Sequence, residues 1–539
     1  MTNTRLTRRA IAVAIAATTL ALGCQQAAAD QTRPAVPSGT NGRPMEATHW
    51  ITVGDPAIIS GSDKPTGRYS PKQQQPPAPR PTVPRHVLAA AKLDAAKDAR
   101  PRAEDTAPEP KAPPVDQGSF EGLDQGAFSQ RPPDTHGAVG LNHFVEVTNG
   151  TGLGFFDKAS GTLVSSTTLN DFFGYDQLIF NPRLVYDRGW NRWVIFADSL
   201  PQDANFQFVF LAVSQTSDPL GDYWKFAFDI PETPGDFFDY PQLGMSQDAL
   251  IITGNVFTEG TYVRSRAFGI PKAAAYNGKG WSMPYFNLGT PGTVAPPIIE
   301  GNNANAYLVA ASTADPNNLK LFRATGLGLS NVSIVFQSNI PVIPFAVPPD
   351  ARQPGTTDLL DTLDARFQNN STQIGNQLLN VHTVNVSGFP TPKWYQIDAN
   401  TNTVPAGRTG NIFESGNSDD FNPAIVGSSF GGTPANLIGR MFVTWTSTNV
   451  FAPHQARVKG SGRLATDAVT IVGGTTFTEA TTFYDPSADT VESWGAYSAV
   501  TIDPVVSPGC PIGQRAFVVN ERQISSTLWG SRIGRLSFC

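Results

Sequence analysis

Residues 181–197 read NPRLVYDRGWNRWVIFA, and four other stretches repeat the phrase in altered form. They are PDTHGAVGLNHFVEVTN at 133–149, DYPQLGMSQDALIITGN at 239–255, FNPAIVGSSFGGTPANLIGRMFVTW at 421–445 and WGAYSAVTIDPVVSPGCPIGQRAFVVNE at 494–521. Each copy opens with Asp, Asn or Gly beside Pro, Thr or an aromatic residue. It then runs apolar, turns, and runs apolar again. A unit recurring at roughly 45–80 residues marks a solenoid, a propeller or an array. Strand-rich units without helical periodicity favour a propeller. The spacing therefore predicts an all-β body over 118–539, a six- or seven-bladed β-propeller with roughly 60–70 residues per blade.

Between the copies the pattern stays strand-like. Arg192-Trp193-Val194-Ile195-Phe196 and Phe206 to Val213 read as strands. Ala212 to Pro219 and Ala310 to Pro316 end in Asp-Pro and read as hairpin turns. One helix is expected inside the body, an insertion at 357–368, where Leu359, Leu360, Leu363 and Phe367 are spaced for one face.

The first 24 residues read as an export leader. Arg5, Arg8 and Arg9 precede an apolar, Ala-rich run to Gly23 that is too short to anchor as a span. Leu20-Ala21-Leu22-Gly23-Cys24 resembles a lipoprotein cleavage site, which predicts lipidation at Cys24 and an extracytoplasmic, membrane-tethered protein. Thr7-Arg8-Arg9-Ala10-Ile11 also resembles a twin-arginine motif, and a plain leader cut after Ala27 to Ala29 is the simpler alternative. Residues 25–117 are Pro-rich, as in PPAPRP at 76–81, and predict a disordered linker with one short helix near 86–100. Apart from Cys24 the chain has two cysteines, Cys510 and Cys539, and an even remainder in an exported chain predicts one disulfide.

Composition narrows the partners. Of 539 residues only 16% are charged and the net charge is -6, which argues against a nucleic-acid partner. There is no phosphate-binding loop, dinucleotide fingerprint, His-Glu-x-x-His or Gly-x-Ser-x-Gly, so no cofactor or metal is expected. Calcium in Asp turns around Asp222 or Asp236 to Asp239 is the weaker alternative. In a closed ring, the residues that open each repeat converge on one rim of the channel. That geometry nominates Asp134, His136, Asn181, Asp239, His382, Asn422 and Trp494 for a shared ligand site, with Arg183 farther along its strand. Asp and Asn at strand starts also serve as turn caps, so each has a purely structural reading.

DTHGAVGLNHFVEVTN, PRLVYDRGWNRWVIFA, AVSQTSDPLGDYW, DYPQLG, STQIGNQLLNVHTVN, FNPAIV and WGAYSAVTIDP together resemble a family of exported bacterial β-propeller proteins, mostly uncharacterised and sialidase-like in architecture. The resemblance implies the propeller and export, and no established reaction. That family usually has Trp-Gly-Asp-Tyr in the last repeat, where this chain has Trp494-Gly495-Ala496-Tyr497. Three roles are open. The first is a monomeric, surface-tethered propeller binding a glycan or protein at its channel mouth. The second is a glycoside hydrolase or lyase, with Asp134 and Asp239 as acid and base, Tyr497 as nucleophile, and Arg183, Arg366 or Arg408 holding a carboxylate. The third is an envelope component with no small ligand.

Overall fold

Each repeated phrase becomes the inner hairpin of a four-stranded antiparallel sheet. In the second copy, Ile179–Asp187 pairs with Arg192–Ser199, and Phe208–Ser214 and Tyr223–Asp229 complete the blade. The computed structural model describes residues 43–56, 76–97, 99–102, 113–126, 130–329 and 331–539. The leader and Cys24 lie outside the described residues.

Four sheets stand alone as four-stranded units, and a fifth unit sits in a five-stranded sheet. Two more lie within an eleven-stranded sheet, which makes seven blades among the described residues. They span 136–167, 179–229, 236–287, 294–341, 371–413, 419–479 and 499–537. Their inner strands follow one another in chain order and the last returns to the first. The core has the same count. A hydrophobic cluster fills each of the seven gaps between successive blades.

Closure is made by the N-terminal side of the ring. Val115–Asp124 pairs antiparallel with Trp529–Ser537 and becomes the outermost strand of blade 7, so the ring begins slightly before residue 118. At this seam Leu123, Phe144 and Phe156 pack on Phe517 and Ile533, and the Phe144 and Phe517 rings stack at 5.9 Å. Glu146 is buried there and accepts from the Leu123 N–H at 2.8 Å. Burial pushes its carboxyl up to about 8, against the pull of hydrogen bonds from Ser531 and Leu123. The disulfide between Cys510 and Cys539 is formed, with Cα atoms 5.4 Å apart, and it fastens the chain end to its own blade.

Two expectations are corrected. The linker at 25–117 is partly built into the ring: Glu46–Val53 pairs with Trp281–Asn287 at the edge of blade 3, and Arg43–Pro44 with Ser333–Pro341 at the edge of blade 4. Residues 76–97 and 99–102 also pack on the body through Arg80, Thr82, Lys92 and Arg102, with the helix at Arg85–Lys97. Pairing satisfies edge groups that would otherwise be open to other chains. The helix expected at 357–368 is a short strand, Leu359–Leu360, followed by turns. Its apolar residues do not share a face. Leu360 packs beside Trp494, Leu363 beside Tyr240 and Tyr497, and Phe367 in the gap between blades 4 and 5. Leu363 and Ala365 hold φ of 62° and 64°, which no α-helix tolerates.

Candidate functional site

The start of the inner strands carries a repeated backbone device. Pairing registers skip between Phe180 and Arg183, Asp239 and Gln242, and Phe421 and Ala424. At these bulges Asn181, Tyr240 and Asn422 take φ of 52°, 58° and 51°, and each is followed by Pro. Asp134 and Ala496 hold the same left-handed turn in blades 1 and 7 at 49° and 63°. Pro has no N–H to lose from the ladder, and Asn and Asp bear positive φ best, so the bend costs little at Asn181, Asn422 and Asp134, whereas Tyr240 and Ala496 hold it against their own preference.

The bulges turn polar side chains into the channel, where they bond to one another. Asn181 Nδ2 donates to Asp239 Oδ1 at 2.9 Å and to Asp198 Oδ2 at 3.3 Å, while Tyr497 Oη donates to Asn181 Oδ1 at 3.0 Å. Asn149 Nδ2 donates to Asp134 Oδ2 at 2.6 Å. Asn422 Nδ2 donates to Asn520 Oδ1 at 2.8 Å and Gln368 Nε2 to Asn422 Oδ1 at 3.2 Å. Arg183 ties the layer together. It donates to Pro241 O at 2.8 Å, Asn369 Oδ1 at 3.0 Å and Gln368 O at 3.0 Å, and its guanidinium lies 3.2 Å over the Tyr497 ring.

All these side chains are buried. Burial drives the Asp134 and Asp198 carboxyls well above the usual range; Asn149 and Arg183 oppose it at Asp134, and the Asp239 charge reinforces it at Asp198. Asp239 is also raised by burial, with Arg80 the main opposing influence.

The leading end of the channel, where the inner strands start, is covered by residues 76–97 and 99–102. Arg80 reaches Asp239 at 3.5 Å and lies 4.3 Å over the Phe237 ring. Thr82 donates through its N–H and its hydroxyl to Asp364 Oδ2, at 2.8 and 3.0 Å. Lys92 is bonded to Asp350 and, at 2.8 Å, to Asp361. Burial works against the Lys92 charge, but Asp361 and Asp350 outweigh it and hold the ammonium above its ordinary value. Arg102 meets Asp420 at 3.1 Å with both side chains fully buried.

Of the residues nominated from sequence, Asp134, Asn181, Arg183, Asp239 and Asn422 are brought together in this layer. His382 is not. It sits inside blade 5 against Phe345, Phe367 and Tyr395, with Nδ1 2.7 Å from Ala365 O. Burial lowers it to about 3, a neutral ring in an aromatic core. Trp494 is likewise a packing residue beside Phe421 and Tyr484, and its Nε1 donates to Thr446 Oγ1 at 3.2 Å. Both follow apolar neighbours into the blade where the expected geometry had them facing the channel. Asp236 is engaged by Arg264 and Thr258. Among the described residues, no group of three or more His, Cys, Asp or Glu is placed to hold a metal. Arg408 points to Ala465 O, whereas Arg366 joins the covered end beside Asp364.

His136 faces the other way. It forms the floor of a cavity of about 930 Å³ that occupies the trailing half of the channel. Its Nδ1 accepts from the Leu184 N–H at 3.3 Å, and burial, aided by the Arg183 charge, keeps the ring neutral. Asn369 and Ser498 share the floor, while Ala138, Leu184, Ile298, Val426 and Val500 supply apolar walls. Across the mouth, Arg188 of blade 2 donates to Glu300 Oε1 at 2.7 Å, and Ser429 of blade 6 reaches the same carboxylate at 3.3 Å. Trp190 is an exposed ring on this rim, 5.7 Å from Tyr276. Below it a buried Lys272 bonds Asp187 at 2.6 Å, and Tyr276 donates to the same oxygen at 2.9 Å. Sequence reading missed this cavity because its walls are Ala, Val, Leu and Ile, indistinguishable in sequence from core. The run Asp187-Arg188-Gly189-Trp190, a turn with an unneeded aromatic, was the available signal.

No protein-family model and no curated protein matches this chain. Among solved structures, it is similar to an apocarotenoid oxygenase variant from Synechocystis, at 10% identity over 65% of this chain and 71% of that one, TM-score 0.37. An α-L-arabinanase of Penicillium chrysogenum complexed with arabinobiose matches at 9% identity over 79% and 99% of the two chains, TM-score 0.37. An α-L-arabinofuranosidase of Fusarium graminearum with an iminosugar inhibitor matches at 8% identity over 78% and 97%, TM-score 0.33. Overlap this remote carries no inference about activity.

Proposed function

We propose that this chain is a binding propeller that takes a small molecule with an apolar body into the trailing half of its channel. The observation that carries the reading is the cavity of about 930 Å³, apolar on its walls and closed by the polar floor of His136, Asn369 and Ser498. Concave sites lined by apolar groups around a few hydrogen-bonding groups are where small ligands bind. A neutral imidazole, an amide and a hydroxyl can orient a polar end without charge. The reading keeps the expectation of a binding propeller and moves the site to the opposite end of the channel. Hydrolysis at Asp134 and Asp239 is disfavoured by their burial and by the segment that covers them. With the leader at 1–24, the proposal places binding outside the cytoplasm, on a chain tethered through Cys24.

The test is a fluorescence titration with dansyl-undecanoate, an apolar chain bearing a polar head. Wild-type protein is expected to bind one molecule per chain. Ile298→Trp with Val426→Trp narrows the cavity from blades 4 and 6 and is expected to weaken binding at least about tenfold, or 1.4 kcal/mol. Equal binding by the double variant, or no saturable binding by wild type, would overturn the reading.

A further inference from the structure

The covered end of the channel has the make-up of a recognition site whose occupant is the protein's own chain. Residues 76–84 read PPAPRPTVP; 76–81 are neither helix nor strand, the chain bends at Thr82 and Val83, and Pro76 and Pro81 are buried. Their backbone is gripped by side chains. Arg366 Nη2 donates to the carbonyl of Arg80, and Asp364 Oδ2 accepts the Thr82 N–H at 2.8 Å. Arg366 and Asp364 are themselves paired at 2.6 Å and, with the segment seated, their side chains are 1% exposed, so each holds the other in place within the clamp. The carbonyl of one residue and the N–H two residues later are what an extended chain presents on one edge. The intervening Pro81 has no N–H to leave unpaired. Specificity lies in the side chain between them and the pocket wall: the Arg80 guanidinium faces Asp239 and the rings of Phe237 and Phe257, at 4.3 and 5.7 Å. A carboxylate flanked by aromatic faces selects a planar cation.

The resident segment does not use the site fully. Arg80 stands 3.5 Å from Asp239, a loose contact for a charged pair, and its side chain is 23% exposed. Arg366 Nη1 is buried and has no hydrogen-bond partner, although it lies in the clamp. A segment supplying one further acceptor would satisfy a donor that the resident leaves bare.

We propose that this face is a second binding site, separate from the trailing cavity. It recognises an extended, proline-flanked arginine segment of another polypeptide, and residues 76–82 occupy it in cis until such a segment displaces them. The site reads the guanidinium through Asp239 and Phe237, and the backbone through Asp364 and Arg366. Displacement exposes the polar layer on Asp134 and Asp239.

The probe is a fluorescein-labelled peptide with the sequence of residues 76–84, titrated into the full chain by anisotropy. Arg80→Ala with Thr82→Pro removes the resident cation and both Thr82 hydrogen bonds. This double variant is expected to bind the peptide at least tenfold more tightly than wild type. A peptide with Ala in the Arg position is expected to bind neither protein. Equal affinity of variant and wild type, or equal affinity of the two peptides, overturns the proposal. A measurement on wild type alone guards against misfolding of the variant. Excess Arg peptide is expected to speed amide hydrogen exchange within 76–84 while the blades stay protected. Unchanged exchange of that segment overturns the proposal as well. Neither readout depends on the trailing cavity, so failure here leaves the dansyl-undecanoate result standing.

Discussion

Removing the Arg183 guanidinium is expected to loosen the ring from its centre. The side chain leaves blade 2 and bonds Pro241 O in blade 3, Gln368 O and Asn369 Oδ1 before blade 5, and the Tyr497 ring before blade 7. In Arg183→Ala three acceptors lose one donor each. Gln242 Nε2 still donates to Gln368 O at 3.0 Å, so Pro241 O and Asn369 Oδ1 are left bare. Each buried orphan costs about 1–3 kcal/mol, and the lost stacking on Tyr497 adds about 2. Relief from burying the cation offsets part of this, which leaves about 3–5 kcal/mol, the usual range for breaking a buried charged network. Over roughly 420 ring residues the unfolding entropy is about 0.9 kcal/mol per degree, so Tm is expected to fall by about 3–6 °C. Arg183→Lys keeps the charge but not the fork and should lose about half as much. Calorimetry and urea unfolding read both variants. A Tm within 1 °C of wild type for Arg183→Ala would refute the claim that this residue ties the blades together.

Two other outcomes follow from the closing seam and the chain end. Reducing the bond between Cys510 and Cys539, 29 residues apart, is expected to lower stability by about 3–4 kcal/mol, read as a lower urea midpoint in dithiothreitol; no change would show the bond to be ornamental. Glu146, raised from 4.5 to about 8, holds its proton when folded and sheds it when unfolded between those values. Its contribution to stability therefore falls as pH rises through that window. Glu146→Gln is expected to match wild type near pH 4 and exceed it by a few kcal/mol above pH 8. A stability difference independent of pH would contradict the assignment.

The blades were legible because a strand pair and its turn leave a local signature, and the same bulge recurs at Asn181-Pro182, Tyr240-Pro241 and Asn422-Pro423. Five of the seven inner strands, those of blades 1, 2, 3, 6 and 7, and the polar layer follow from that phrase. Blades 4 and 5 were the least legible: Val294–Ala295 and Pro297–Glu300 split one inner strand, and only the second half pairs, in parallel, with Ser371–Ile374. His382 was misplaced because its position was inferred from repeat phase alone. In space it lies on the second strand of blade 5, Gln377–Val386, one strand away from the channel. The docking of residues 76–97 and 99–102 was invisible for a different reason. The Pro-rich run at 76–84 reports that it cannot pair as strand or continue a helix, and the Ala-rich run after it reports a short helix; neither reports that Arg80, Lys92 and Arg102 each have a buried carboxylate waiting on the ring. Cavity walls are the hardest case, since an apolar side chain facing a void and one facing a neighbour are spelled alike.

The central claim is that a ligand enters the trailing half of the channel. Photolabelling with a diazirine-bearing undecanoate, followed by peptide mapping, tests it most directly. The account predicts adducts on the lining segments 298–302 and 424–427, lost when unlabelled dansyl-undecanoate is in excess. Adducts confined to outer strands, or to the covered end around Phe237 and Asp239, would contradict it.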